Sequence, residues 1–459
     1  MTHPLSPNGA GRCPISGGDR TPLYDEAFHV DPATVFRHLR DTQGPVAKVW
    51  LEPGVPGYII VDHQTMLEVS RDDIWSHDSR LWQEWRTGRI PDHSELVPMM
   101  MWRPNLLFAD GSDHTRLRRA VADSLAEIDL RAMEADIVAI ANGLIDAFAA
   151  QGTADLITQY AVQLPLLVFN RLFGLDDRAG RALVAILRRI WDGSDAVRAN
   201  AELERMMGRL IGAKRRTPGR DLTTSLINHH AALDDEELIH HLVVIIGAGN
   251  TPVADLIGNT LRMIMTDRQA GTNVAGLRDH LTIPEVIHRV LWLDTPMAIY
   301  PWVYPRRDTR LGNVIIPAGS AVGMALAAAN LSVAEQRNGA LLRGNRAYTS
   351  FGVGPHKCPA DDLALRIAAI GVQTVLHRLP ELRLAVPAPA LGGRRSVFAR
   401  ALTALPVQFT PLGHQSSREG TWNPSFSTPM PTSTTNQRRS ASSGPWSLSN
   451  FRARWRRGR

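Results

Sequence analysis

Ser350-Phe351-Gly352-Val353-Gly354-Pro355-His356-Lys357-Cys358-Pro359-Ala360 runs directly into a helical pattern that begins near Asp361. Glycine at 352 and 354 admits backbone conformations closed to other residues, so the stretch can turn tightly and bring amide groups toward the sulfur of Cys358. Amide hydrogen bonds and a helix N-terminus both favour a thiolate, the form of cysteine that ligates metal. His356 adds a donor for an anion held nearby. A lone cysteine in a chain of this size is commonly a small buried apolar residue. The flanking F-G-x-G-x-H-x-C pattern is what makes Cys358 a candidate metal ligand.

Outward from this loop the chain reads as mainly helical. Apolar side chains recur at three- and four-residue spacing over Arg131–Gln151, Tyr160–Phe173, Leu183–Trp191, Glu236–Met265, Ile283–Leu293 and Asp361–His377. Strand signals are fewer: Val46–Leu51, Gly57–Val61, the turn-rich stretch 310–326 and Val407–Phe409. Ala27 to Leu412 shows no linker and no repeat, so residues 27–413 are expected to form one large fold or two lobes sharing a core, after an N-terminal segment 1–26. The 459 residues are 44% hydrophobic and 21% charged, which excludes a small stapled scaffold and a wholly disordered chain. Two cysteines, Cys13 and Cys358, point to a reducing cytoplasm. The richest apolar stretch, LVVIIGAG at 242–249, is far shorter than the roughly 20 residues of a membrane helix, so neither export signal nor anchor is expected.

The net charge of +6 belongs to the C-terminus. Residues 414–459 hold eight arginines and one acid, Glu419; subtracting them from 51 basic and 45 acidic residues leaves 43 and 44 in residues 1–413. The same segment has ten Ser, five Thr and one Leu, a composition that cannot bury enough apolar surface to offset its ordering entropy. A disordered basic tail is expected, with contact to an anionic surface or nucleic acid through FRARWRRGR as the alternative. No nucleic-acid role is expected of the balanced body, and any cofactor site in it is expected to survive deletion of 414–459.

The cysteine loop resembles the haem-thiolate loop of the cytochrome P-450 superfamily. The resemblance implies that fold: mainly α with small β-sheets, and haem b (iron protoporphyrin IX) between a long central helix and the cysteine loop. It makes Cys358 the axial iron ligand, places Phe351 near the sulfur and sets His356 at a haem propionate. Ala109–Ala120, ADGSDHTRLRRA, looks like the family helix whose histidine and arginine, here His114 and Arg118, meet the propionates; four residues apart, they share a helical face. Tyr160–Asp177 resembles a packing helix of the family, Glu236–Thr266 the central helix over the distal haem face, and 315–330 a turn and strand ending in the family's Ala-Asn. Collinear resemblance covers about residues 20–412.

Four positions depart from the family. Ala360 stands where glycine usually follows the cysteine loop. In the central helix, the family's Ala-Gly-x-acid-Thr-Thr reads Ala248-Gly249-Asn250-Thr251-Pro252-Val253, so the acid and both alcohols of the proton relay are replaced. Proline lacks an amide hydrogen, so a local opening near Ala248 is expected, with Ala248 and Gly249 against the cofactor and Asn250 or Thr251 substituting in proton delivery. Asp255, one turn on, is a further relay candidate against a solvated or capping role. The Glu-x-x-Arg ion pair becomes Arg289-Val290-Leu291-Trp292 ahead of Asp294-Thr295-Pro296, with Glu285 and His288 or Arg289 as a displaced pair. With Trp102-Arg103-Pro104-Asn105, this resembles an actinobacterial subgroup that lacks the pair. Finally, Val303 occupies the propionate-arginine position, with Arg306 and Arg307 nearby.

The resemblance implies a soluble, cytoplasmic, monomeric monooxygenase of secondary metabolism. It would insert one oxygen atom from dioxygen into a small, largely apolar molecule. No flavin or NAD fingerprint and no cysteine cluster occurs in the sequence, so electrons are expected from ferredoxin and ferredoxin reductase partners. The altered 248–253 stretch keeps two other readings open: a haem-binding sensor, carrier or degraded enzyme, and a peroxide-driven haem enzyme. Residues 79–105, rich in Trp and Met, are expected over the distal pocket or in ordinary packing.

Overall fold

A computed structural model describes residues 19–412 apart from 92–93, 192–195, 271–280 and 337–341; the tail 414–459 and Cys13 lie outside the described residues. The predicted helices are present, with shifted ends. They form Leu130–Asp146, Gln163–Leu172, Asp177–Trp191, Asp235–Ala270, Ile283–Leu293 and Asp361–Arg378. Gly111–Ala126, Ala196–Arg216 and Leu326–Gln336 join them. The Ala-Asn expected to end a strand at 330 lies inside Leu326–Gln336, because the strand stops at Met324.

The main sheet has six strands, in the order Thr21–Pro22, Val46–Glu52, Val55–Ile60, Val322–Met324, Trp302–Pro305 and Trp75–Ser76. The two longest pair antiparallel with Val46 opposite Ile60, and Tyr58 pairs in parallel with Val322. The folded body therefore starts before Ala27: Thr21 pairs with Val49, Leu23 is buried, and the Arg20 guanidinium lies 5.0 Å from the Tyr58 ring centre. A second sheet joins Thr153–Asp155, Pro406–Gln408 and Arg383–Leu384.

Apolar side chains gather into a large helical core around Tyr160, Ile257 and Val372, and into smaller cores on the sheet around Phe36, Ile59 and Trp302 and around Tyr58, Met66 and Val322. The cysteine loop lies where these meet, since Phe351 packs on the helical core and Val353 on the sheet. Among the described helices Asp235–Ala270 alone is long and apolar enough to cross a membrane. It exceeds the short apolar run read from the sequence, yet buried His240, His241, Asn250, Asp255, Asn259 and Asp267 mark it as a helix packed within protein. Pro252 does not interrupt it. The helix runs through the stretch where an opening was expected, although the proline withholds a hydrogen bond from Ala248.

Candidate functional site

Gly352 and Gly354 adopt φ of 76° and 67°, the left-handed region that favours glycine, and a Cβ on Gly354 would come 2.7 Å from the Ser70 carbonyl oxygen. Between them the chain turns so that the Cys358 amide donates to the Phe351 carbonyl at 2.7 Å. The Ala360 amide reaches the Cys358 sulfur at 3.4 Å. Ala360 has φ −120°, open to any side chain, so the missing glycine leaves no backbone strain. Half-burial pushes the Cys358 thiol up; the Ala360 amide, Arg118 and Lys357 act against this, and Asp361 adds to it. The loop thus does less than expected to favour the thiolate, and a cation at the sulfur is what would complete it.

Three imidazoles stack beside the cysteine. His356 lies between His77, at 3.4 Å between ring centres, and His114, at 3.8 Å. Burial, His77 and His114 drive His356 far below the ordinary histidine value; burial and Arg118 lower His114 to about 4. Asp110, at the start of the His114 helix, accepts from the Ser76 hydroxyl, the His77 amide at 3.0 Å and the Arg306 guanidinium at 2.7 Å. Burial alone would raise the Asp110 carboxyl, but bonds from His77 and Ser76 hold it well below the carboxylate range. Val303 is fully buried in the sheet, so Arg306 reaches this corner through Asp110, while Arg307 is exposed.

The donors here lack an acceptor. His114 Nε2 and Arg118 Nη1 are buried and unpartnered, next to His356. A buried guanidinium nitrogen and an imidazole nitrogen without partners suit a group carrying carboxylates. With a cysteine sulfur adjacent, the donor set fits haem: Cys358 for iron, His114, Arg118 and His356 for the propionates. His77 and Asp110 were not legible in the sequence. They come together through a two-residue pairing of Trp75–Ser76 with Tyr304–Pro305, too short to show a pattern.

On the central helix Val244, Gly247, Ala248 and Thr251 share one face by spacing. Gly247 and Ala248 are exposed halfway along a packed helix, and a Cβ on Gly247 would meet nothing within 4 Å, which marks a chamber wall. Two expected site residues turn elsewhere. A Cβ on Gly249 would lie 2.2 Å from Phe169 Cζ, so Gly249 serves close helix packing. Asn250, about 100° around the helix from Thr251, is 1% exposed with neither amide atom partnered. Asp255 is neither solvated nor capping: it pairs with Arg394 at 3.1 Å, buried.

The displaced Glu285 pair does not form. Glu285 accepts from the Thr282 amide and hydroxyl in a capping box, and Arg289 Nε is buried without a partner. Hydrogen bonds lock this helix to the loop before the cysteine instead. Trp292 Nε1 donates to the Asn345 carbonyl at 2.9 Å, His288 meets the Tyr348 hydroxyl at 2.9 Å, and the Ser350 hydroxyl donates to the Leu291 carbonyl at 2.6 Å. Asn330 ties in through the Thr349 amide at 2.7 Å.

No protein-family model matches the chain. Curated relatives do. Cytochrome P-450 107B1 of Saccharopolyspora erythraea is 28% identical over 397 residues, covering 84% of this chain and 96% of the relative. Cytochrome P-450 monooxygenase PikC of Streptomyces venezuelae is 27% identical over 400 residues, 83% of this chain and 92% of the relative. The solved structure of CYP154C4 from Streptomyces sp. W2061 superposes with a TM-score of 0.75 at 28% identity, covering 84% of this chain and 97% of that one. Shared fold, end-to-end relatives and a cysteine loop beside unpartnered carboxylate-binding groups agree: the chain belongs to the cytochrome P-450 superfamily and is a haem-thiolate monooxygenase.

Proposed function

We propose that the chain binds haem b and inserts one oxygen atom into a small, largely apolar organic molecule, as a cytoplasmic monomer taking electrons from a ferredoxin and its reductase. The observation that carries this reading is the pair of buried, unpartnered donors, His114 Nε2 and Arg118 Nη1, beside His356 and Cys358. Thiolate-ligated haem supplies the activation of dioxygen. Cys358 provides the sulfur, and Phe351 fixes the cysteine backbone through its carbonyl. His114, Arg118 and His356 hold the propionates, with His77, steadied by Asp110, filling the place left by Val303. Ala248 leaves room on the chamber wall. Thr251 holds a proton at Oγ1 on the chamber face, and the free amide of Asn250 fixes a water molecule behind it.

The reduced carbon monoxide difference spectrum tests the reading. A thiolate-type band lost in Cys358→Ser is expected; a wild-type protein without that band, or a variant that keeps it, overturns the assignment. A second reading, peroxide-driven or catalytically weakened haem chemistry, draws on Thr251, Pro252 and Val253, none of which titrates as a carboxylate would. It prevails if surrogate ferredoxin, reductase and NADPH yield only peroxide with ligands that shift the iron spin state.

A further inference from the structure

His241 of the central helix is fully buried, and both of its ring nitrogens are engaged. Nε2 lies 3.2 Å from the Leu106 amide and Nδ1 lies 2.6 Å from the Glu237 carbonyl oxygen. An amide only donates, so Nε2 carries no hydrogen; a carbonyl only accepts, so Nδ1 carries it. The two bonds fix one neutral tautomer. An imidazolium would turn N–H against N–H at Leu106.

These bonds join elements that the haem corner depends on. Leu106 opens the short turn Leu106–Phe108, in which Asn105 Oδ1 accepts from the Leu107 amide at 2.9 Å. Two residues later, Asp110 precedes Gly111–Ala126, the helix that carries His114 and Arg118. Glu237 grips the flank of that helix, since its carboxylate accepts twice from the Arg116 guanidinium, the longer bond at 3.2 Å. Arg116 is partly exposed, so water weakens this ion pair, whereas the bond from Leu106 to His241 is buried. The N-terminal end of the central helix thus holds the helix of His114 and Arg118 at two points. Only the buried one depends on a protonation state near neutral pH.

We propose that His241, as the Nδ1–H tautomer, is a positioning residue for the haem site: it pins Leu106 to the central helix, sets the place of His114 and Arg118, and releases the turn when it takes a second proton. The inference rests on the haem-thiolate reading of this corner. The ionisable groups facing His241 are Glu237 and His240 on its own helix and Arg116 on the helix opposite; the turn Asn105–Phe108 brings none. Burial keeps the pinned imidazole below the ordinary histidine value of 6.5, although Glu237 pulls the other way. Between that lowered value and 6.5 the released turn binds a proton that the pinned one does not, so release grows up to about tenfold per pH unit as pH falls.

Hydrogen–deuterium exchange of the haem-bound protein tests this, read by mass spectrometry on peptides spanning 103–110 and corrected for intrinsic exchange, from about pH 5.5 to 7.5. Wild type should lose protection there by several-fold to about tenfold on acidification. His241→Gln leaves an acceptor where Nε2 stood and does not titrate, so its protection should stay level. His241→Phe should lose protection roughly tenfold at every pH, the worth of one buried hydrogen bond, and should pass haem to apomyoglobin faster. A packing role alone would lower protection without changing its course with pH. Acid loss that persists in His241→Gln, or His241→Phe that exchanges as slowly as wild type at the upper pH, overturns the proposal; glutamine decides it if phenylalanine does not fold. The carbon monoxide spectrum of each preparation separates the two readings. A wild type without the thiolate band overturns the functional reading, whereas an intact band with the same exchange course in wild type and His241→Gln overturns only this inference.

Discussion

Replacing Trp292 by arginine puts back the residue that the family pattern places there, and it should weaken the protein. Trp292 is 1% exposed, its Nε1 donates to the Asn345 carbonyl at 2.9 Å, and its ring meets Tyr348 edge-on at 5.9 Å. Trp292→Phe keeps most of the apolar contact and loses the bond. The orphaned carbonyl costs about 1–3 kcal/mol, and the space left by the smaller ring adds on the order of 1 kcal/mol. Trp292→Arg instead buries a second guanidinium one helical turn from Arg289, whose Nε already lacks a partner. Leaving a buried charge uncompensated costs about 3–5 kcal/mol. The ranking is therefore wild type, then phenylalanine, then arginine.

Adding Arg289→Glu to Trp292→Arg supplies the counter-charge three residues away, and the pair should recover roughly 2 kcal/mol relative to the sum of the single changes. Urea unfolding followed by far-ultraviolet circular dichroism, at fixed haem and protein concentration, gives the midpoints and slopes. Trp292→Arg as stable as wild type, or a double variant no better than the worse single one, would refute the claim that hydrogen bonding has replaced the ion pair as the lock on the cysteine loop.

Asp255 should make stability fall with rising pH. Burial pushes its carboxyl up to about 7 although Arg394 acts the other way. Between the unfolded value of 3.8 and about 7 the unfolded chain releases a proton that the folded one keeps, so stability is lost across that window, by a few kcal/mol. Asp255→Asn should flatten the dependence, and equal slopes in urea midpoints measured from pH 4 to 8 would contradict this. His77→Ala and Asp110→Asn should speed haem transfer to apomyoglobin several-fold, with the thiolate band retained in the bound fraction; unchanged transfer rates in both would remove His77 from the propionate corner. Gly249→Ala should cost about 1–3 kcal/mol in urea unfolding by forcing Phe169 aside, and a neutral result would show that the two helices separate freely.

Long elements and contiguous motifs were the legible part of this chain. The central helix, the cysteine-loop helix and the His114–Arg118 pair each depend on spacing within one segment, which sequence displays directly. Contacts between short, distant segments were not legible. His77 reaches His356 through a strand of two residues, and Trp292 finds Asn345 across 53 positions through a backbone carbonyl, which any residue offers. The direction of a side chain within a known helix was only half legible. Asn250 stands in the relay stretch, yet a step of about 100° per residue turns its side chain off the Thr251 face, where it is buried with its amide unpartnered. Asp255 reads from the sequence as a relay, solvated or capping residue, whereas it is buried against Arg394, 139 residues away.

These departures share a direction. Where the family pattern puts an ion pair between the Ile283–Leu293 helix and the cysteine loop, this chain uses an indole, a phenol, a hydroxyl and an amide. Where the pattern puts a strand arginine, it has buried Val303, with His77 and an Asp110–Arg306 pair at the corner. Neutral hydrogen bonds are screened far less by salt than ion pairs are. The lock on the loop should therefore respond weakly to ionic strength. Raising salt should leave the position and intensity of the thiolate band unchanged. A band that fades as salt rises would show that the loop still depends on charge.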